Sequence, residues 1–110
     1  MELRWRLAEG LSLSDAAKTA VAEFYGNTGH FPGNNTSAGL AQPASISGSY
    51  VVGVTVRDGG EVIVRYGNRA NSQIAGHMIA LAPTEEGGSI SWTCETIDVP
   101  QQYLPRSCRQ

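Results

Sequence analysis

The period of the hydrophobic pattern changes once along this 110-residue chain, and that change limits the fold more than any other feature. From Leu3 to Tyr25 the apolar residues recur at the spacing of one helix face, and no proline interrupts them. From Tyr50 onward the spacing is two, as in strands that bury one face. The sequence therefore predicts one long helix followed by a β-sheet.

The predicted helix has two chemically different sides. The apolar side comprises Leu3, Leu7, Leu11, Ala17, Val21 and Phe24. The polar side comprises Arg4, Glu9, Ser12, Asp15, Thr19 and Glu23. Gly10 costs a helix ~1 kcal/mol relative to alanine, so we expect a close contact at that position. Gly26 or Asn27 is expected to supply the left-handed residue that ends the helix before Pro32.

Residues 27–49 follow no period and are rich in glycine, asparagine and serine, which predicts a long loop. Three apolar residues, Phe31, Leu40 and Ile46, are expected to anchor it on the core. Its glycines lack the lysine and the preceding strand of a phosphate-binding loop. Asn34 and Asn35 each begin an N-x-S/T glycosylation pattern, which an asparagine-rich loop often contains by chance.

Four strands are predicted after the loop. "YVVGVTVRDGGEVIVRY" contains two strands around a turn at Asp58-Gly59-Gly60. "HMIALAP" is a third strand that Pro83 is expected to end, "TEEGG" is a turn, and "SISWTCET" is a fourth strand. In the first predicted strand, two sets of residues are expected on opposite faces: Tyr50, Val52, Val54 and Val56 against Val51, Gly53, Thr55 and Arg57. The fold class is α+β, an antiparallel meander with the helix on one face.

The only two cysteines, Cys94 and Cys108, lie near the C-terminus. The segment between them contains Pro100 and Pro105, so it is not expected to form a regular element, and an unanchored tail would fray. A Cys94–Cys108 disulfide would close a loop of 15 residues and stabilise the fold by about 3 kcal/mol. The alternative, a zinc site with the two histidines, His30 and His77, lacks the close ligand pairs of structural zinc sites.

Charge and motif content argue against several functions. The net charge of −2 does not favour a nucleic-acid or membrane partner. Arg57 and Arg65 are expected to lie near each other across the hairpin. The five arginines of the C-terminal half are nevertheless interpreted as scattered solvated charges and not as a phosphate-binding cluster: Arg57, Arg65, Arg69, Arg106 and Arg109. Glu95 and Asp98 are too few carboxylates for a calcium site, so no metal or cofactor is expected.

An enzymatic function is not predicted either. Ser72 and His77 lie close in sequence, but no GxSxG motif or other complete catalytic set accompanies them. The pair Glu85-Glu86 falls in a predicted turn, where charged residues usually increase solubility. No catalytic residue is therefore assigned.

Several blocks of the sequence resemble type IVa pilins. "AEGLSLSDAAKTAVAEFYGNTGHFPGNN" is similar to the second half of the pilin helix and the start of its loop. "AGLAQPASISGSYVVGVTV" is similar to the loop and the first strand, and "SISWTCE" with "YLPRSCR" to the pilin disulfide loop. The resemblance covers about residues 7–109. It implies the pilin ladle fold as a single domain: helix 1–26, αβ-loop 27–49, sheet 50–94 and disulfide-bounded loop 94–108.

The resemblance also implies a function. Pilins are structural subunits of a homopolymeric filament on the bacterial surface, built by the pilus assembly machinery from an inner-membrane pool. They serve adhesion, twitching motility, biofilm formation and, in some members, DNA uptake, with a surface or DNA as ligand. The leader, the Phe and Glu near the mature start and the apolar half-helix of pilins do not match here, so a truncated soluble pilin is expected. A minor pilin, a type II secretion pseudopilin and a secreted disulfide-stabilised binding module remain the alternatives.

Overall fold

The computed structural model describes residues 2–40, 42, 46–48, 50–67, 76–87 and 89–99. Helix α1 spans Glu2–Thr28, and four strands follow: β1 Val51–Arg57, β2 Glu61–Tyr66, β3 Met78–Glu86 and β4 Ser89–Thr96. The strands lie side by side in the order β1-β2-β3-β4, and each is antiparallel to its neighbour. The predicted α+β class and the four-stranded meander are confirmed.

The helix packs on β1 and β2, while β3 and β4 extend the sheet beyond it. Ala17 and Val21 are fully buried against the strands. The core also contains three valines of β1, two valines and a tyrosine of β2, two residues of β3 and one valine after β4: Val51, Val54, Val56, Val62, Val64, Tyr66, Ile79, Leu81 and Val99. Burying each of these side chains contributes about 1.5–3 kcal/mol, so this single cluster holds the helix on the sheet.

Gly10 lies where α1 passes close to β2. A Cβ atom at this position would lie 2.7 Å from Val64 Cγ1 and would also meet the Tyr66 hydroxyl. Val64 and Tyr66 are both fully buried, so neither has space to move aside. The expected close contact is confirmed, and only glycine allows this helix-to-strand distance.

The end of the helix differs from the prediction. Gly26 and Asn27 are helical, and the left-handed residue is Gly29, with φ of 82°. The Gly29 amide donates to Tyr25 O at 2.8 Å, and the Thr28 hydroxyl donates to Phe24 O at 2.7 Å. These bonds satisfy carbonyls of the last turn, which allows the helix to continue past Gly26.

The faces of β1 also differ from the predicted alternation. Val51, Val54 and Val56 are buried in the core, whereas Val52 is half-buried and outside the core cluster. The pairing register with β2 shifts between Val51 and Gly53. A bulge at this point adds one residue to β1, so the residues before it change face relative to those after it.

Pro83 does not end β3. The strand continues to Glu86, and Pro83 lies opposite Trp92 of β4. Strand β2 pairs with β3 only as far as Leu81, so at Pro83 the strand is paired with β4 alone. Proline is tolerated on such an edge because its missing N–H interrupts no ladder there. The turn is correspondingly shorter than predicted, with Gly87 at φ of 56° after Glu86.

Candidate functional site

The side of α1 opposite the core is an exposed polar surface. Ser12, Asp15, Thr19 and Glu23 are exposed, as predicted, and Ala16 lies among them. An ion pair joins Lys18 Nζ to Asp15 Oδ1 at 3.4 Å, and such surface pairs contribute little stability. The amphipathic arrangement places one side of α1 on the sheet and leaves the other side free for contacts outside the domain.

The side chains of Leu3 and Leu7 lie outside the described residues. Among the described residues of the predicted apolar side of α1, Phe24 is placed differently. Phe24 is half-buried and lies outside the core cluster. Its ring meets that of His30 edge-on, with centroids 5.2 Å apart. The reason is that Phe24 is located close to the end of the helix, where the chain turns back at Gly29.

Residues 29–40, which we call the strap segment, run from the end of α1 along β1. Phe31 packs beside the Tyr25 ring, with centroids 4.5 Å apart, and the Gly60 amide donates to Pro32 O at 3.1 Å. The three predicted anchors, Phe31, Leu40 and Ile46, are partly buried on the core, so this expectation is confirmed. The strap segment is therefore fixed at its first turn and at its far end.

Asn35 provides the central attachment of the strap segment. Its Nδ2 donates to Val54 O at 3.0 Å, and its Oδ1 accepts from Val56 N at 2.6 Å. The side chain is only 5% exposed, so its amide nitrogen is not accessible to a glycosyl donor. Asn34 differs: it is exposed, and its Oδ1 accepts from the Ser37 amide at 2.7 Å. The sequence pattern N-x-S/T could not distinguish these two residues.

The first turn of the sheet carries mixed charges. A shallow depression there is lined by Gly33, Val56, Arg57, Asp58 and Glu61. Arg57 Nε lies 3.8 Å from Glu61 Oε1, and both side chains are partly exposed.

The expected proximity of Arg57 and Arg65 across this hairpin is wrong. Arg57 lies opposite Glu61, whereas Arg65 lies opposite Gly53. Four residues separate the two positions along β1, roughly 13 Å at the usual rise of a strand. Arg69, Arg106 and Arg109 lie outside the described residues, as does Ser72.

His77 and Asp98 form a contact that the sequence interpretation missed. His77 Nδ1 lies 3.0 Å from Asp98 Oδ2, and the Met78 amide donates to Asp98 Oδ1 at 2.8 Å. The imidazole contact has the distance of an ion pair, but its alignment does not meet the geometry of a hydrogen bond. Desolvation, the largest influence, raises the pKa of Asp98, but His77, the Met78 amide and Arg65 together hold it below its usual value.

The sequence did contain a signal for this contact. Every residue pair of β3 and β4 is symmetrical about the turn between Glu86 and Ser89. Counting outward from that turn places His77 opposite Asp98. The predicted stop at Pro83 hid this register, because it placed the turn over too many residues.

Cys94 is a residue of β4, lies opposite Leu81 of β3 and is partly buried against the core. Cys108 and the rest of the tail from Pro100 lie outside the described residues, so the predicted pairing remains a prediction. Within the described part of the chain, no group of three or more histidine, cysteine or acidic residues is placed to hold a metal ion. Among the described residues, no helix is long and apolar enough to cross a bilayer.

The sequence model of the family described as pilin, a bacterial filament protein, matches residues 4–109. The chain belongs to the pilin family. The predicted resemblance is thus confirmed, and the fold of one long helix on a four-stranded antiparallel sheet agrees with it. This is a family of structural proteins.

Three relatives illustrate the similarity. A fimbrial protein of Neisseria meningitidis serogroup B is 37% identical over 91 residues, which is 83% of this pilin and 54% of the relative. A type IV major pilin protein PilE1 of Neisseria gonorrhoeae is 33% identical, with 96% of this pilin and 74% of the relative covered. The fimbrial protein EcpC of Eikenella corrodens is 34% identical, with 96% and 70% covered. The chain thus spans between about half and three quarters of the length of these curated relatives.

Proposed function

We propose that this pilin is a subunit of a type IV pilus and that the exposed side of α1 faces neighbouring subunits in the filament. The observation that carries the proposal is the family match over residues 4–109. Relatives named type IV major pilins support a major subunit over a minor pilin or a secretion pseudopilin. The polar, exposed side of α1 supports the orientation, because the other side is already occupied by the sheet.

Filament assembly supplies the test. An exposed helix position, Ala16, is replaced by cysteine in the full-length protein, and Thr84→Cys on β3 is the matched control because α1 packs on β1 and β2 instead. We expect maleimide to label both positions in the dissociated subunit but Thr84→Cys much more than Ala16→Cys in filaments. Equal labelling of the two positions in filaments would refute the orientation. Failure to find the protein in any filament by immunogold microscopy would refute the pilus assignment itself.

Several finer properties belong to the same proposal. The proposed location is an extracellular pilus, which the subunit enters from an inner-membrane pool. The proposed partners are the assembly machinery and other copies of the chain. Adhesion, twitching motility, biofilm formation and DNA uptake are the activities proposed for the filament. Deleting the gene should then remove surface spreading and attachment together, and complementation with the wild-type gene should restore both.

We also propose that Cys94 and Cys108 are disulfide-bonded. Cys94 lies partly buried against the core beside Leu81, and there is no free cysteine among the described residues, which supports the pairing. The bond would tie the C-terminal segment to β4. Alkylation of the denatured, unreduced protein should leave the intact mass unchanged, and reduction before alkylation should add two blocking groups. Two alkylated thiols without reduction would exclude the disulfide.

A further inference from the structure

The carboxamide of Asn35 occupies an edge of the β-sheet. Strand β1 is the first strand of the sheet and pairs with β2 on one side. On its other side, Val54 O and Val56 N point outward and are bonded to Asn35 Nδ2 and Oδ1. A carbonyl and the amide two residues later are the two groups that a single residue of an adjacent parallel strand would bind. The Asn35 side chain therefore takes the place of one residue of a further strand.

The strand behind this carboxamide has the properties of an association site. Residues 50–56 contain four valines, a tyrosine and a threonine, with neither a proline nor a charged residue. Neutral segments of high β propensity pair readily with copies of themselves when their edge is open. Native proteins commonly cover such edges with a loop. Because the segment is self-complementary in this sense, a second copy of the same strand is the partner that it fits.

We infer that Asn35 keeps β1 from pairing with β1 of a second copy of this chain by holding the strap segment over the strand edge. The attachments at Pro32 and Leu40 leave this part of the strap segment to be positioned by Asn35. Loss of the carboxamide leaves Val54 O and Val56 N without this partner. The site is poorly accessible to water, because Asn35 itself is only 5% exposed. A second strand satisfies both groups at once, which water in a narrow site does less well. This role concerns association of folded subunits and does not depend on the filament proposal.

The matched variants are Asn35→Ala and Asn34→Ala, since the neighbouring asparagine is exposed and bonds only within its own turn among the contacts described. Sedimentation velocity over a hundredfold range of concentration should show a concentration-dependent dimer for Asn35→Ala and no change from wild type for Asn34→Ala. Hydrogen exchange identifies the surface. At low concentration the Val56 amide of Asn35→Ala should exchange at least tenfold faster than in wild type, and dimerisation should slow it again.

Two results would overturn the inference. One is a folded, monomeric Asn35→Ala whose Val56 amide exchanges fast at every concentration. The other is a dimer in which Val56 stays unprotected, because association would then use a different surface. If Asn35→Ala does not fold, Asn35→Asp decides: its carboxylate accepts from Val56 but cannot donate to Val54, and its protonated form can do both. Dimerisation of Asn35→Asp should increase with pH, and a dimer fraction independent of pH would exclude the role.

Discussion

Replacing Gly10 with alanine tests the close contact between α1 and β2. Two effects oppose each other. Alanine favours a helix interior over glycine by about 1 kcal/mol. The new methyl group, however, would lie 2.7 Å from both Val64 Cγ1 and Tyr66 Cζ, where carbon atoms normally stay about 3.5–4.0 Å apart. Overpacking of this kind costs about 1–3 kcal/mol, and both partners are fully buried. The difference between the two effects is a net destabilisation of up to about 2 kcal/mol.

Gly26→Ala is the matched control, because Gly26 is helical and a Cβ there meets nothing within 4 Å. It should stabilise the protein by up to about 1 kcal/mol. Urea unfolding followed by circular dichroism would measure both variants. A difference of about 2 kcal/mol between them corresponds to roughly 8–16 °C in melting temperature for a domain of this size. If Gly10→Ala were as stable as Gly26→Ala, the packing of α1 on β2 described above would be wrong.

A double-mutant cycle identifies which partner the methyl group meets. The Tyr66 hydroxyl is the atom closest to a Cβ at position 10. Tyr66→Phe removes that atom at its own cost, so we expect Gly10→Ala to be less damaging in the Tyr66→Phe background. Coupling of at least 0.5 kcal/mol is usual for groups in direct contact. Strictly additive effects would show that the helix has shifted away from Tyr66.

The two sides of α1 and the Asp98 contact yield further expectations. Val21→Asp places an unpaired charge in the core and should cost several kcal/mol, whereas Glu23→Ala on the exposed side should change unfolding free energy by well under 1 kcal/mol; equal losses in chemical unfolding would contradict the assignment of sides. Because the pKa of Asp98 is lowered in the fold, its charge stabilises the protein above the usual carboxyl pKa of about 3.9, and that contribution disappears as the pH falls through the folded pKa. Asp98→Asn keeps an acceptor for Met78, so the free-energy difference from wild type should be a fraction of 1 kcal/mol at neutral pH and vanish in acid. A difference that persists in acid would mean that packing, not charge, is responsible.

The sequence alone determined the number, type and order of the elements. The hydrophobic period of a helix or a strand is visible among residues that are close in sequence. Val21 and Glu23 could therefore be assigned to opposite sides of α1 without any knowledge of the sheet. The turn at Asp58 depends on its own glycines, and Gly59 has the positive φ that such a turn needs. The family resemblance was equally local, since it rested on contiguous blocks of residues.

The tertiary structure decided which residues meet across long stretches of chain. Asn35 lies 19 and 21 residues before its partners in β1, and His77 lies 21 residues before Asp98. Such contacts depend on the strand register and on the path of the loop. The residues next to a polar residue in the sequence carry little information about either. The bulge after Val51 and the continuation of β3 through Pro83 have the same cause. Each depends on where the neighbouring strand begins or stops pairing, and only the assembled sheet determines that.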